Sequence, residues 1–445
     1  MRRALVSQVV ALFVVALAAV FILPLGSVQA DLNGDGYDDL GAYAVEVTGA
    51  ARGPWYQIYT GSGAFIANKL LGADTTGHQL ISTPVYTGEL TIGFQKISTG
   101  ITYLQRRNAS GGVLAATSVS GTGYAKHRFF DLEYNGGGAR ETGVCKTRVS
   151  DGVSYFQVYV RAGASMNLVT TQLMTGGAMT TLDCFAADMT GNGRDEIIHI
   201  FRRNSDSAFG YQVFFNGGPP TLAKIVHGGA FTYQKAFVGN FVTTAGNAGM
   251  ELAFGTVRNS DSKGVYSVWD ETGTQKAVKV AVGNAWVNHQ WEAMAAGGSA
   301  RDNIFIGYVA ASDGRGQFQT WNVETNTKIN AATVTGPAFT VVEWILGDFD
   351  TSTAGDELGV GWIRNSDSAI GFSTKSVSGG ALASGVALGS AYVNPQFKGI
   401  RARATPTYSV WIGAAQVGGR PILQLYNGAT GANQLSMLIM SPGVV

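Results

Sequence analysis

A Ser-Asp pair recurs along this chain at residues 150, 205, 260, 312 and 366, separated by 55, 55, 52 and 54 residues. Three of the copies belong to one pentapeptide, RNSDS, at 203–207, 258–262 and 364–368. The other two stand in "RVSDG" and "AASDGRG". A constant period of this length marks a chain built from copies of one supersecondary unit, and each copy buries its apolar faces only by stacking on its neighbours.

The segment after each Ser-Asp turn alternates large, β-preferring residues: YFQVYV at 155–160, GYQVFF at 210–215, VYSVW at 265–269 and QFQTW at 317–321. WYQIY at 55–59 and ILQLY at 422–426 fit the same slot. Such runs between turn residues predict strands. A second extended run precedes each turn, as in DEIIHIFRR and DELGVGWIR. These runs start near Asp39, Glu89, Glu141, Glu196, Glu251, Asn303, Glu357 and Tyr408. Two shorter strands, such as LAKIVHGG and KAFVGNF, complete the unit. The expectation is an all-β fold, a β-propeller of four-stranded blades, with eight blades and seven as the alternative. Solenoid coils are shorter than this repeat. Abundant glycine (61) with sparse proline (10) suits many tight turns, and no helical periodicity appears after residue 30.

Charged residues are only 14% of the chain and the formal net charge is +1, with no basic run beyond the first residues, so nucleic acid is not expected as a partner. The opening "MRRALVSQVVALFVVALAAVFILPLGSVQA" has two arginines, an apolar run and a small-x-small exit. Residues 1–30 read as a secretory signal peptide cut after Ala30, and residues 31–445 as a single propeller domain. The apolar run, about twenty residues, leaves an uncleaved membrane anchor as the alternative. Either reading places the propeller outside the cell or at its surface. An oxidising compartment permits a disulfide between Cys145 and Cys184, and two separate buried thiols are the other option.

The mature chain would open on DLNGDGYDDLGAY. Asp31, Asn33, Asp35 and Asp39 occupy positions one, three, five and nine of a loop with Gly36 at the sharp turn, and the Tyr37 carbonyl can add a ligand. Alternating oxygen ligands of this kind suit calcium. Ala42 at position twelve rules out an EF-hand, and the plainer alternative is an acidic turn. The pattern D-x-N-x-D-G-x-x-D-L between strands resembles the FG-GAP/VCBS repeat family, which includes the propeller of integrin α-chains. DMTGNGRDE keeps Asp188, Thr190, Asn192 and Glu196 at the same four positions and is the second, weaker calcium candidate. GDFDTSTAGDELGVG keeps Asp348 and Asp350 but is one residue longer before Glu357, and the remaining loops lack the acidic set.

The resemblance implies that the strand before each such loop is the innermost of its blade. The innermost strand of the first blade would then fall within residues 24–30, leaving that blade three-stranded. It also implies that the Ser-Asp turns lie on the opposite rim, where such propellers commonly bind ligands. The ligand candidates there are Arg203, Ser205 and Asp206; Arg258, Ser260 and Asp261; Ser312 and Asp313; and Arg364, Ser366 and Asp367. The competing reading is a purely structural turn.

The five histidines, His78, His127, His199, His227 and His289, share no metal-ligand spacing, and neither a G-x-S-x-G elbow nor a phosphate-binding glycine loop occurs. The sequence therefore favours a non-enzymatic, secreted or surface propeller that binds a glycan or a surface protein. A self-assembling subunit of an extracellular layer, filament or appendage is one alternative, and a glycan-active enzyme is another.

Overall fold

The computed structural model describes residues 40–44, 55–59, 65–70, 75–82 and 89–438, the last with short breaks. Residues 1–39, which carry the signal segment and the loop from Asp31 to Asp39, lie outside the described residues. Every described element is a strand or a turn, and the strands form meanders.

β1 (Leu40–Ala44), β2 (Trp55–Tyr59) and β3 (Phe65–Leu70) make a three-stranded sheet. β4 (Thr75–Ser82), β5 (Glu89–Lys96), β6 (Thr102–Asn108) and β7 (Val113–Ser120) form the next meander, and β8 (Tyr124–Leu132), β9 (Glu141–Arg148), β10 (Ser154–Ala162) and β11 (Ser165–Thr175) the one after. These two join into one eight-stranded sheet through a single parallel bridge, Ser165 to Ala116, between β11 and β7. Five separate four-stranded antiparallel sheets follow. They are β12 (Met179–Ala187) to β15 (Pro220–His227), through β13 (Glu196–Arg203) and β14 (Phe209–Phe214); and β16 (Phe231–Gly239) to β19 (Gln275–Val282), through β17 (Glu251–Arg258) and β18 (Lys263–Trp269). Then come β20 (Trp286–Ala295), β21 (Asp302–Ala310), β22 (Gly316–Asn322) and β23 (Thr327–Thr333). The last two sheets are β24 (Phe339–Gly347) to β27 (Ala381–Leu388), through β25 (Glu357–Arg364) and β26 (Ile370–Lys375); and β28 (Tyr392–Ile400) to β31 (Asn433–Leu438), through β29 (Ser409–Gln416) and β30 (Pro421–Asn427).

The polar starts read from the sequence open the second strand of each four-stranded meander, and the aromatic runs are the third strands. The sequence repeat is offset from the sheet by one strand: KAFVG, which ends one sequence unit, pairs with β17 and begins the following sheet. Second strands are buried on both faces, as in β13 and β17, because neighbouring sheets cover them. Fourth strands such as β15 alternate toward solvent, which marks the outer edge. First strands of neighbouring sheets lie against each other, β8 on β12, β16 on β20 and β24 on β28. A register irregularity in each of β4, β8, β12, β16, β20, β24 and β28 precedes Gln79, Arg128, Asp183, Lys235, Gln290, Glu343 and Gln396 respectively. Bulges re-aim side chains, and ion pairs cross between sheets here: Arg128–Asp183 (3.9 Å), Lys235–Glu292 and Lys398–Glu343 (3.1 Å).

The sheets are locked together at one repeated position. Gly93, Gly255, Gly307 and Gly361, in second strands, face Phe129, Trp291, Trp344 and Phe397 of the next meander's first strand, and a Cβ at any of these glycines would overlap the ring. Each aromatic is at least nine-tenths buried. Two joints use different chemistry at the same position. Ile200 and Ala236 hold the two equivalent positions at another joint and lie in one apolar cluster, which reverses large and small. Cys145 of β9 and Cys184 of β12 form a disulfide with Cα atoms 6.4 Å apart, so the structure favours the bridge over two separate thiols.

Candidate functional site

Three places carry polar chemistry: the loops entering second strands, the Ser-Asp turns, and a cleft in the eight-stranded sheet.

In the first, buried glutamates at the start of second strands turn back onto their own loops. Glu141 accepts from the Tyr134 amide (2.9 Å), Glu196 from Met189 (2.8 Å), Glu251 from Phe241 (2.7 Å) and Glu357 from Asp350 (2.9 Å). Burial pushes the Glu196 and Glu251 carboxyls up from their ordinary range. The residue before the start reaches to the preceding sheet. The Asp195 carboxylate accepts from the Glu133 amide (2.7 Å) while the Asp195 amide donates to the Glu133 carbonyl (2.7 Å). Asp302 repeats this with Asn240 (2.8 and 2.7 Å), and Asp356 with Ala295 (2.9 and 2.6 Å).

In the calcium candidate, Asp188 accepts from the amides of Asn192 (3.1 Å) and Gly193 (2.8 Å), and Asn192 from that of Arg194 (2.8 Å). The Thr190 hydroxyl donates to Glu196 (3.0 Å). The donor set of Asp188, Thr190, Asn192 and Glu196 is thus engaged in holding its own loop. Among the described residues no group of three or more His, Cys, Asp or Glu is placed to hold a metal ion.

The Ser-Asp turns join second to third strands, at the opposite ends of the second strands from these loops. Their polar groups satisfy one another. Arg258 grips Asp261 in a fork (2.9 and 2.6 Å) and Arg364 grips Asp367 likewise (2.8 and 2.6 Å). Arg203 pairs with Asp206, and Arg148 with Asp151, in the same way. Arg315 reaches Asp313 from the other side of its turn (2.7 Å). The aspartates also accept from turn amides, as Asp206 does from Ala208 (3.1 Å), which caps the turn. The arginines hold the Asp206 and Asp367 carboxyls down at about 2. Ser207, Ser262 and Ser368 adopt positive φ of 57°, 54° and 56°, and glycines 152 and 314 serve the same position. Asn204, Asn259 and Asn365 tie each turn to the loop entering their own sheet, through the carbonyls of Gly177, Gly229 and Pro337.

The cleft lies where β7 and β11 diverge beyond their single bridge. It has a volume of about 380 Å³. Ile101, Met166 and Leu168 supply apolar lining, and Ser118, Ser120 and Gln157 supply polar lining. Lys146 of β9 stands beneath it, only 6% exposed. Its ammonium donates to the Val119 carbonyl (2.5 Å) and to Oε1 of Gln157 (2.6 Å), and lies 4.5 Å from the ring centre of Tyr124. The Tyr159 hydroxyl donates to the same Gln157 oxygen (2.9 Å). Ser120 shares a hydrogen bond with His127 (2.8 Å). Burial pushes Lys146 down to about 8 and, aided by Lys146, His127 down to about 4.

Sequence reasoning missed this cleft, although a signal was present. At the fifth position after the polar start, four other repeats hold the aromatics Phe94, Phe201, Tyr308 and Trp362 and another holds Thr256, whereas this one holds Lys146. Of the histidines, His199 is a fully buried core residue between Thr181 (2.9 Å) and Gln212 (3.4 Å). His227 and His289 are likewise held down at about 4 by burial. His78 lies outside the residues whose side chains are described.

Stacked four-stranded meanders joined at their first strands define an all-β, propeller-like protein. Known structures agree: the fold resembles the Dos1 propeller with a TM-score of 0.53, covering 90% of this chain and 95% of that one at 8% identity. Looser likenesses are to the rhamnogalacturonan lyase PL11 of Bacillus licheniformis (TM-score 0.44, 14% identity, 79% of this chain and 73% of that one) and to the six-bladed Aleuria aurantia lectin (TM-score 0.32, 11% identity, 72% and 97%). Neither bears on function at that distance. No family model matches the sequence, and no curated protein matches it.

Proposed function

We propose that the chain is a non-enzymatic, secreted or surface binding propeller with eight blades of the FG-GAP/VCBS kind, and that it holds a glycan in the cleft between β7 and β11. Seven four-stranded meanders and one of three strands support the blade count. The observation that carries the binding role is the cleft itself, which sets an aliphatic wall against a polar one and falls in the size range of small-ligand sites. A sugar ring has the same two-sided character, C–H on its faces and hydroxyls at its edge. The Ser-Asp rim is assigned to architecture, because its arginines and aspartates bind each other.

A glycan array with the purified chain tests the reading. Binding should appear and should be lost in Leu168→Trp, which sets a bulky ring on the exposed side of the cleft, with the melting temperature unchanged. An array without binding overturns it. Calcium at Asp31, Asn33, Asp35 and Asp39, with Tyr37, belongs to the same proposal. A bound ion stabilises by mass action, so excess chelator should lower the melting temperature, and equal melting with and without chelator removes the ion. The alternative of self-assembly is favoured by one feature, the exposed Val278, Val280, Ile329 and Val386 on outer strands. Molecular mass that rises with concentration would support it.

A further inference from the structure

Resting on the cleft as the glycan site, we propose that its ligand is an acidic sugar, a uronic acid, whose carboxylate is selected by the charge of Lys146.

Lys146 is a buried cation whose partners are all neutral. Its ammonium meets a carbonyl, an amide oxygen and an aromatic face, and among the described residues no carboxylate lies within ion-pair distance. The groups packed around it add no negative charge near neutral pH. From β8 come Tyr124 and the neutral His127, and from β10 come Gln157 and Tyr159, whose hydroxyl burial pushes up to about 12. The nearby buried cation Arg106 shows the ordinary arrangement, an ion pair with Glu89 at 3.2 Å. Burying an unpaired charge is costly, and the equivalent position is uncharged in the other repeats, Phe94, Phe201, Thr256, Tyr308 and Trp362 among them. The lysine is therefore retained at a cost to stability, next to the molecule's polar cleft.

Two of the cleft's lining residues, Val119 and Gln157, are the ones that hold the ammonium. An anionic group seated against Gln157 lies one side chain from the charge, and the burial of Lys146 leaves that charge less screened than a surface lysine's. Ser118 and Ser120 are placed for the ring hydroxyls and Met166 for its C–H face. A neutral sugar meets the same walls without answering the charge.

The test is titration of the full chain with sodium glucuronate, glucose and sodium acetate at low ionic strength, followed by calorimetry. Glucuronate should bind at least about tenfold tighter than glucose, and acetate should bind weakly or not at all. In Lys146→Met the preference for glucuronate over glucose should vanish. Gln157→Glu supplies an internal carboxylate for the ammonium, so it should remove the glucuronate preference while the melting temperature holds or rises. Equal binding of glucose and glucuronate overturns this inference and leaves the glycan reading standing. So does a preference that survives both variants, or acetate binding as tightly as glucuronate. Absence of binding by either sugar overturns both.

Discussion

The joint between β9 and β12 and the joint between β21 and β24 occupy the same position in the repeat, yet they are made differently. At the second, Gly307 leaves a hollow and the Trp344 ring fills it. At the first, Cys145 and Cys184 meet as a disulfide. Ile200 and Ala236 supply a third version with the sizes exchanged. What the repeat conserves is a filled space between two sheets. The apolar versions draw on burial and close packing, and both vanish if one partner is trimmed. The covalent version acts largely by restricting the unfolded chain, in the chain-entropy description.

The comparison breaks most sharply at Trp344. Trp344→Ala should cost roughly 3–5 kcal/mol, the range for a deleted buried aromatic, read from the denaturant midpoint. Adding Gly307→Ile should recover at least about 1 kcal/mol, because it rebuilds the Ile200/Ala236 arrangement and contacting sites couple on this scale. A double variant no more stable than Trp344→Ala would show that the joints are not interchangeable.

Next in size is the disulfide. Cys145→Ala with Cys184→Ala, or reductant on the parent, should lower stability by roughly 2–4 kcal/mol. Cys145→Gly with Cys184→Phe should recover part of that loss and make the protein indifferent to reductant. If reductant leaves the parent's unfolding midpoint unmoved, the bridge adds nothing to the joint.

His199 lies opposite Cys184 in the register, and burial holds it at about 4 against 6.5. The unfolded state therefore binds the proton first. The stability this histidine contributes is present above pH 6.5 and is lost as the pH falls through 4, reaching roughly 3 kcal/mol for the full shift. Asp131 acts in the opposite sense, since burial raises it to about 6 and its contribution is lost as the pH rises through 6. The stability difference between the parent and His199→Gln should narrow on acidification across this window. A constant difference would mean that the histidine is not held neutral.

The smallest effect belongs to the tips of the same sheets. The triple variant Asp206→Asn, Asp261→Asn, Asp367→Asn should melt as the parent does. Its ion pairs are exposed and screened, and asparagine still caps the turn. A marked drop would move the Ser-Asp turns from trim to framework.

Much of this architecture was legible because it is periodic. The polar starts predicted strands at Glu141, Glu196, Glu251 and Glu357, and the aromatic runs predicted the strands that follow them, since alternation and turn residues act over a few neighbours in the chain. The loop acids were also visible, but their role was not. Glu196 reads as a metal ligand in a row of letters, and the structure adds a contact that the letters do not show, its carboxylate accepting from the Met189 amide. Whether a carboxylate faces an amide or an open loop depends on backbone direction, which short spacing does not encode. The RNSDS turn was legible as a turn, but the Arg–Asp fork inside it needed side-chain directions.

The sequence by itself determined the repeat and the strand types, because each follows from local periodicity. Only the tertiary structure decided which residues meet across sheets. Gly307 with Trp344, Cys145 with Cys184, and Lys146 with Val119 and Gln157 come from separate strands, or in the first two cases from separate sheets. Their distances depend on how one sheet rotates and settles on the next, and that is set by the packing of the whole ring of contacts rather than by any one segment.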